Sequence, residues 1–304
     1  MEQKFIRWLE TNFADVAREN GSKNVLLGIG DDGAVLAGSE MRQVLVSDAI
    51  VDQVHFDLAK HGLDRIGHKS LAVNLSDIAA MGAEPESAIV SLVLPRSFTI
   101  QQTKQLFTGI ATAASKYGIV IIGGDTCSHE GPLMISVAAT GRIAADSKVP
   151  DGWRIDGAKA GDIIVVSGPL GGSIHGKHLD FVPRVELARE IQQRVIIHAA
   201  TDISDSFSID LAHLIRKSNV GAVIDLKQIP IADAAENDVV RALQDGEDFE
   251  LLICLPRQAY DDLYDDSSFD HQLTVVGEVT ADHPGRIVNL DTGEDVKVGG
   301  YEHR

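Results

Sequence analysis

The stretch AIVSLVLPRSFTIQQTKQLFTGIATAASKYGIVIIGGDT, Ala88–Thr126, decides the fold class. Ala88–Leu94 is a continuous apolar run of strand length, closed by Pro95. Thr99 and Gln102 stand three apart and read as a capping box for a helix that runs to Tyr117 and stops at Gly118. Ile119–Ile122 is a second apolar strand, ending in Gly123-Gly124-Asp125-Thr126, and Leu133–Ile143 reads as another. Strand, helix and strand in succession predict a mixed α/β half whose acids gather at element ends, where sites in such folds form.

Upstream, His68–Met81 has Leu71, Leu75, Ile78 and Ala79 on one helical face and is ended by Gly82. Asn74 and Asp77, three apart, are neighbours on that helix. Gln43–Val46 with Ile50-Val51 is β-rich and carries Ser47-Asp48 at or near a strand end, followed by Val54-His55-Phe56. Before it, GIGDDGAVL (Gly28–Leu36) sets Asp31 and Asp32 side by side between glycines. Adjacent carboxylates repel unless a cation, a proton or solvent intervenes, and Asp-Gly pairs are also ordinary turn residues. The opening MEQKFIRWLE is an amphipathic helix with Phe5, Ile6 and Leu9 inward, without the uninterrupted apolar core of a signal peptide.

Downstream, Ala144–Asp151 is polar and contains a proline, a candidate linker that divides the chain into domains 1–148 and 149–304. RIDGAKAGD (Arg154–Asp162) leads into a buried strand at Ile163–Val166. Helical patterns follow at Val185–Arg194, Ser206–Lys217 and Ala234–Leu243, and strand patterns at Ala222–Leu226, Glu250–Leu255, Leu273–Val276 and Arg286–Leu290. The second half is therefore also α/β.

The 304 residues hold 27 basic and 45 acidic side chains, a formal net charge of −18. That balance argues against a broad electrostatic footprint for nucleic acid or an anionic membrane. A phosphate-bearing substrate would need divalent cations between it and the facing carboxylates. Cys127 and Cys254 lie far apart and form no CxxC pattern, so neither a disulfide framework nor a zinc site is suggested. No apolar run approaches the roughly 20 residues of a spanning helix. A cytoplasmic enzyme or binding protein is the expectation.

GGSIHGKH (Gly171–His178) nearly spells the phosphate loop GxxxxGK[ST], but His178 replaces the metal-binding hydroxyl and Pro183 comes too early for a good following helix. The acids carry more. Asp31, Asp32, Asp48, Asp77, Asp125, Asp202 and Asp205 stand beside small residues, as hard oxygen ligands of Mg²⁺ would. Asp202-Ile203-Ser204-Asp205 also suits a helix N-cap, and the two roles are compatible. Carboxylate-held magnesium beside glycine turns suits phosphoryl transfer from a nucleotide by positioning and charge neutralisation. No GxSxG is present and Cys127 has no paired base in sequence, so no covalent catalytic residue is assigned.

The order of motifs GIGDDGAVL, SDAIVDQVHF, KSLAVNLSDIAAMGAEP, GGDT, RIDGAKAGD, DISD, DGEDFEL and GYEH resembles the thiamine-monophosphate kinases, from Gly28 to Tyr301. The resemblance implies the two-domain fold of the aminoimidazole ribonucleotide synthetases, and a homodimer whose N-terminal mixed sheets join in a barrel. It implies ATP as co-substrate, Mg²⁺ as cofactor and thiamine monophosphate as acceptor, phosphorylated in line to thiamine diphosphate. Carried onto this chain, metal ligands fall on Asp31, Asp32, Ser47, Asp48, Asp77, Asp125, Asp202 and Asp205. Nucleotide contacts fall on Gly124, Asp125, Arg154 and Ser204, and substrate contacts on His55, Glu247 and Tyr301. The chain departs from the family pattern at Val46-Ser47-Asp48-Ala49, at Cys127, at Ser206-Phe207 and at Phe181–Arg184. Those departures leave open a related ATP-dependent reaction on another acceptor, or a non-catalytic nucleotide-binding paralogue.

Overall fold

The computed structural model describes residues 2–13, 25–27, 35–36, 41–267, 269 and 273–301, so the pair Asp31-Asp32 lies outside the described residues. The chain forms two compact units, 1–78 with 84–143, and 79–83 with 144–304.

The first unit contains α1 (Glu2–Phe13), β1 (Val25–Leu27), β2 (Val35–Leu36), β3 (Gln43–Val51), most of α2 (Leu63–Ala80), β4 (Glu84–Pro95), α3 (Ile100–Tyr117), β5 (Val120–His129) and β6 (Met134–Arg142). β1 and β2 pair antiparallel. The other four strands form a mixed sheet in the order β3-β6-β4-β5. β4 and β5 are parallel, which requires a crossover, and α3 supplies it. The α3 caps match the sequence expectation: the Thr99 and Gln102 amides each donate to the other's side chain, at 2.9 and 3.3 Å, and Gly118 ends the helix at φ 67°. α2 and α3 cross at glycines, because a Cβ on Gly67 would lie 2.2 Å from the Leu106 carbonyl oxygen. Phe5 is buried and meets the Phe107 edge at 5.7 Å, joining α1 to α3, while Leu9 is half-buried. The side chain of Ile6 is outside the described residues.

Strand alternation divides the sheet. Ile135, Val137 and Ala139 of β6 and Val90, Leu92 and Leu94 of β4 are buried on one face. The other face carries Leu45, 75% exposed, and Ile89, 44% exposed.

Two expectations are corrected here. β5 does not stop at Gly123-Gly124-Asp125-Thr126. Its parallel partner extends the ladder from Ser87↔Val120 to Pro95↔His129, so Asp125 lies within the strand. Gly124 then has a structural reason, because a Cβ there would sit 1.9 Å from the Val90 carbonyl oxygen. Likewise β3 pairs with β6 continuously from Gln43↔Arg142 to Val51↔Met134, so Ser47 and Asp48 are mid-strand.

The second unit is built on a six-stranded sheet in the order β12-β9-β11-β7-β10-β8. Its strands are β7 (Asp162–Val166), β8 (Ala199–Asp202), β9 (Gly221–Ile224), β10 (Leu251–Pro256), β11 (Thr274–Thr280) and β12 (Ile287–Asn289). All pairs are antiparallel except β9 with β12. Helices are α4 (Lys177–Asp180), α5 (Val185–Arg194), α6 (Phe207–Ser218), α7 (Val239–Gln244) and α8 (Arg257–Asp265). All five residues of β7 are buried, and Phe207, Leu211, Leu214 and Ile215 of α6 join Ile164, Val166, Leu252 and Cys254 in one core.

α5 has the bounds its periodicity predicts. Ala234–Leu243 is not one helix: Glu236 and Asn237 turn left-handed at φ 57° and 60°, and Asp238 starts α7 anew by accepting the Val240 amide. The α6 N-cap is Ser206, which accepts the Ile209 amide at 3.1 Å; Asp202 ends β8 and is no cap. Among the described residues no helix is long and apolar enough to cross a membrane.

Candidate functional site

In the first unit, the β3–β6–β4–β5 register fixes where the candidate acids stand. One row runs from Asp48 through Val137 and Val90 to Gly124, and the next from Ala49 through Ser136 and Ser91 to Asp125. Neighbouring rows point to opposite faces, and the two edge strands are about 14 Å apart across three strand spacings. Asp48 and Asp125 are therefore not brought together within this unit. Ser47, next to Asp48, takes the opposite face from it for the same reason. Asp77 is half-buried on α2, and Asn74 is fully buried, donating to the Ser70 carbonyl at 3.2 Å.

His55 lies in the turn after β3. The Val51 amide donates to its Nδ1 at 3.1 Å, so the neutral ring carries its proton on Nε2. Buried Lys69 donates to the His55 carbonyl at 2.8 Å, and Gln53, two residues earlier, is left-handed at φ 65°. The turn is fixed at both backbone and ring.

In the second unit three segments distant in sequence meet in front of α6. The Glu247 amide donates to the Ser204 carbonyl at 2.7 Å, the Phe249 amide to Ile203 at 2.8 Å and the Tyr301 amide to Asp205 at 3.2 Å. The hydroxyls of Ser206 and Ser208 hold the Gly299 carbonyl at 2.8 and 2.9 Å. Five sequence-derived candidates, Asp202, Ser204, Asp205, Glu247 and Tyr301, thus belong to one assembly. Glu247 and Phe249 are left-handed at φ 60° and 51°. Non-glycine residues in that region are strained by about 1–3 kcal/mol, a feature that clusters at functional sites.

Asp210, in the first turn of α6, lies beneath that assembly. Its Oδ2 accepts the Ser204, Asp205 and Ser206 amides at 3.0, 3.2 and 3.1 Å. Burial, then the charge of Asp202, pushes its carboxyl up to about 8 against the pull of the amides. Arg154 is exposed and forms a bidentate pair with Asp156 at 2.7 and 2.8 Å, which raises its pKa and keeps it cationic.

The GGSIHGKH stretch is occupied by the protein's own carboxylates. Asp248, 0% exposed, accepts the Gly171 amide at 2.9 Å and the Ser173 hydroxyl. Burial pushes Asp248 up to about 6, opposed by those bonds. Glu250, 1% exposed, accepts the Ser167 hydroxyl at 2.6 Å, both Arg184 donors at 2.6 Å and Lys177 at 2.9 Å. Burial raises the Glu250 pKa, but the Arg184 bonds with the Lys177 and Arg184 charges outweigh it, so the net shift is downward. Phe249 stacks on Phe181 at 4.0 Å. Lys177 therefore pairs with the buried Glu250 carboxylate.

Sequence reasoning missed Asp210, Asp248, Glu250 and Arg184. The available signal was the acid density of DISDSFSID and DGEDFE. Among the described residues no three His, Cys, Asp or Glu side chains are grouped to hold a metal ion. The donor set itself fits a hard divalent cation, being carboxylate oxygens, and the charges of Asp202 and Asp205 add to the burial that raises Asp210 behind them.

Comparison with known proteins identifies the family. Residues 30–143 match the model of the AIR synthase related protein N-terminal domain, and 173–289 that of the C-terminal domain. The thiamine-monophosphate kinase of Rhodopirellula baltica is 40% identical over 296 residues, covering 92% of this chain and 89% of the relative. The crystal structure of the Stenotrophomonas maltophilia K279a thiamine-monophosphate kinase superposes with a TM-score of 0.78 at 33% identity, covering 94% and 98% of the two chains. A solved structure of AaThiL complexed with AMPPCP and TMP gives a TM-score of 0.76 at 26% identity, covering 95% and 94%.

Proposed function

The chain belongs to the AIR synthase related proteins and, within them, to the thiamine-monophosphate kinases, and on that premise we propose that it transfers the terminal phosphoryl group of ATP to thiamine monophosphate. The observation that carries this reading is the meeting of the DISD, DGED and GGY segments in front of α6. The AaThiL complex with an ATP analogue and TMP supports it.

A phosphate oxygen of thiamine monophosphate attacks the γ-phosphorus in line. The bond to the β–γ bridging oxygen breaks, and thiamine diphosphate and ADP leave. No covalent enzyme intermediate is required, so the residues position and neutralise. His55 presents a ring of fixed tautomer to the acceptor, with Glu247 and Tyr301 as its further contacts. Gly124 and Asp125, Ser204 and the permanently cationic Arg154 face the nucleotide. Asp31, Asp32, Ser47, Asp48, Asp77, Asp125, Asp202 and Asp205 would hold Mg²⁺. Bound magnesium screens the negative charge of the two phosphates.

Residues 1–148 act as the nucleotide, magnesium and dimerisation domain and 149–304 as its α/β partner. A second copy covers the open sheet face around Leu45 and Ile89, making a homodimer, and the protein works in the cytoplasm. Incubation with ATP, Mg²⁺ and a panel of phosphorylated acceptors tests the reading. Equimolar ADP and thiamine diphosphate are expected from thiamine monophosphate alone. ADP release with another acceptor, or Mg-ATP binding without turnover, would replace it.

A further inference from the structure

We propose that Asp210 is the positioning residue that sets the DISD turn in its ligand-holding shape. The inference rests on the proposed reading of Asp202 and Asp205 as cation ligands and deepens it. One side-chain oxygen of Asp210 receives three successive backbone amides, those of Ser204, Asp205 and Ser206. Three donors converging on one point curl the chain, because each must aim its N–H inward at about 3 Å. A turn so curled presents its carbonyls outward, and those of Ser204 and Asp205 accept the Glu247 and Tyr301 amides.

Asp210 also holds the amides that lead into α6, up to that of the N-cap Ser206 itself. Ser206 satisfies only the Ile209 amide, and amides preceding the first helical turn otherwise need water or a side chain. Asp210 is 8% exposed, so its position is set by packing. Its role is that of a group behind the ligands, whose loss commonly costs 10–100-fold in metal affinity.

The test is Mn²⁺ binding to the full chain with a non-hydrolysable ATP analogue, followed by the electron paramagnetic resonance of free Mn²⁺. Asp210→Ala should weaken Mn²⁺ about 10–100-fold. Asp210→Asn keeps an acceptor oxygen and should recover most of that loss, and circular dichroism reports whether each variant is folded. In the wild type, the Ser204, Asp205 and Ser206 amides should exchange slowly with deuterium before any cation is added. A folded Asp210→Ala that binds Mn²⁺ as the wild type does overturns the proposal, as does fast exchange of those three amides. If the wild type binds Mn²⁺ and nucleotide but makes no thiamine diphosphate, the acceptor assignment fails and the positioning role stands. If it binds no Mn²⁺, both fail.

Discussion

The two units treat their acids in opposite ways. In the first, Asp48 and Asp77 are half-buried and Asp125 is exposed, carried on regular strands or a helix. In the second, Asp210, Asp248 and Glu250 are buried, and each receives two or more donors from the chain itself. An exposed carboxylate on a rigid strand is available to an external cation at small desolvation cost, whereas a buried one must be matched inside the fold.

Substitution separates the two classes, and the largest effect should fall on activity alone. Asp77→Asn or Asp125→Asn should lower phosphoryl transfer by about 10²–10³-fold, the scale of losing one charge-stabilising group. The melting temperature should move by no more than about 2 °C, within the range of surface substitutions. An unfolded variant, or one with full activity, breaks the contrast. Arg184→Ala should do the reverse. It strips Glu250 of its bidentate partner and should cost about 3 kcal/mol in urea unfolding, because a buried charge is left poorly matched.

Asp248 gives a pH signature. Its folded pKa of about 6 lies above the ordinary carboxylate value, so the folded state holds a proton that the unfolded state has released. Its contribution is fully present below about pH 4 and is lost as pH rises through about 6. The stability of wild type relative to Asp248→Asn should therefore fall by about 2 kcal/mol between pH 4 and 7; a flat difference contradicts this burial account. The smallest effect belongs to Thr99→Ala. Loss of the α3 cap should cost about 1 kcal/mol and leave the Mg²⁺ requirement of the reaction unchanged.

What was legible in the sequence follows the same division. Local signals placed α5 within its bounds and both α3 caps, because periodicity and capping are written within a few residues. The acids of the first unit were legible as candidates for a related reason, standing beside small residues in short motifs. Asp248, Glu250 and Arg184 were not, since their partners lie 66–84 residues away and nothing in a linear reading joins Ser167 to Leu251 or Arg184 to Glu250. Glycine punctuation misled at Gly123-Gly124. There a parallel neighbour carried the strand onward, and the glycine answered a crowded backbone instead of a turn. The four-residue β8 was too short to show a period, and it became a strand only through its pairing with β10.

The most direct measurement is phosphorus-31 NMR of the pure protein with ATP and thiamine monophosphate, before and after the divalent cations are removed with a chelator and then restored. The proposed assignment predicts the diphosphate resonances of thiamine diphosphate rising with those of ADP when Mg²⁺ is present, none in the chelator and recovery on adding Mg²⁺ back. Thiamine diphosphate forming at an undiminished rate in the chelator would contradict it.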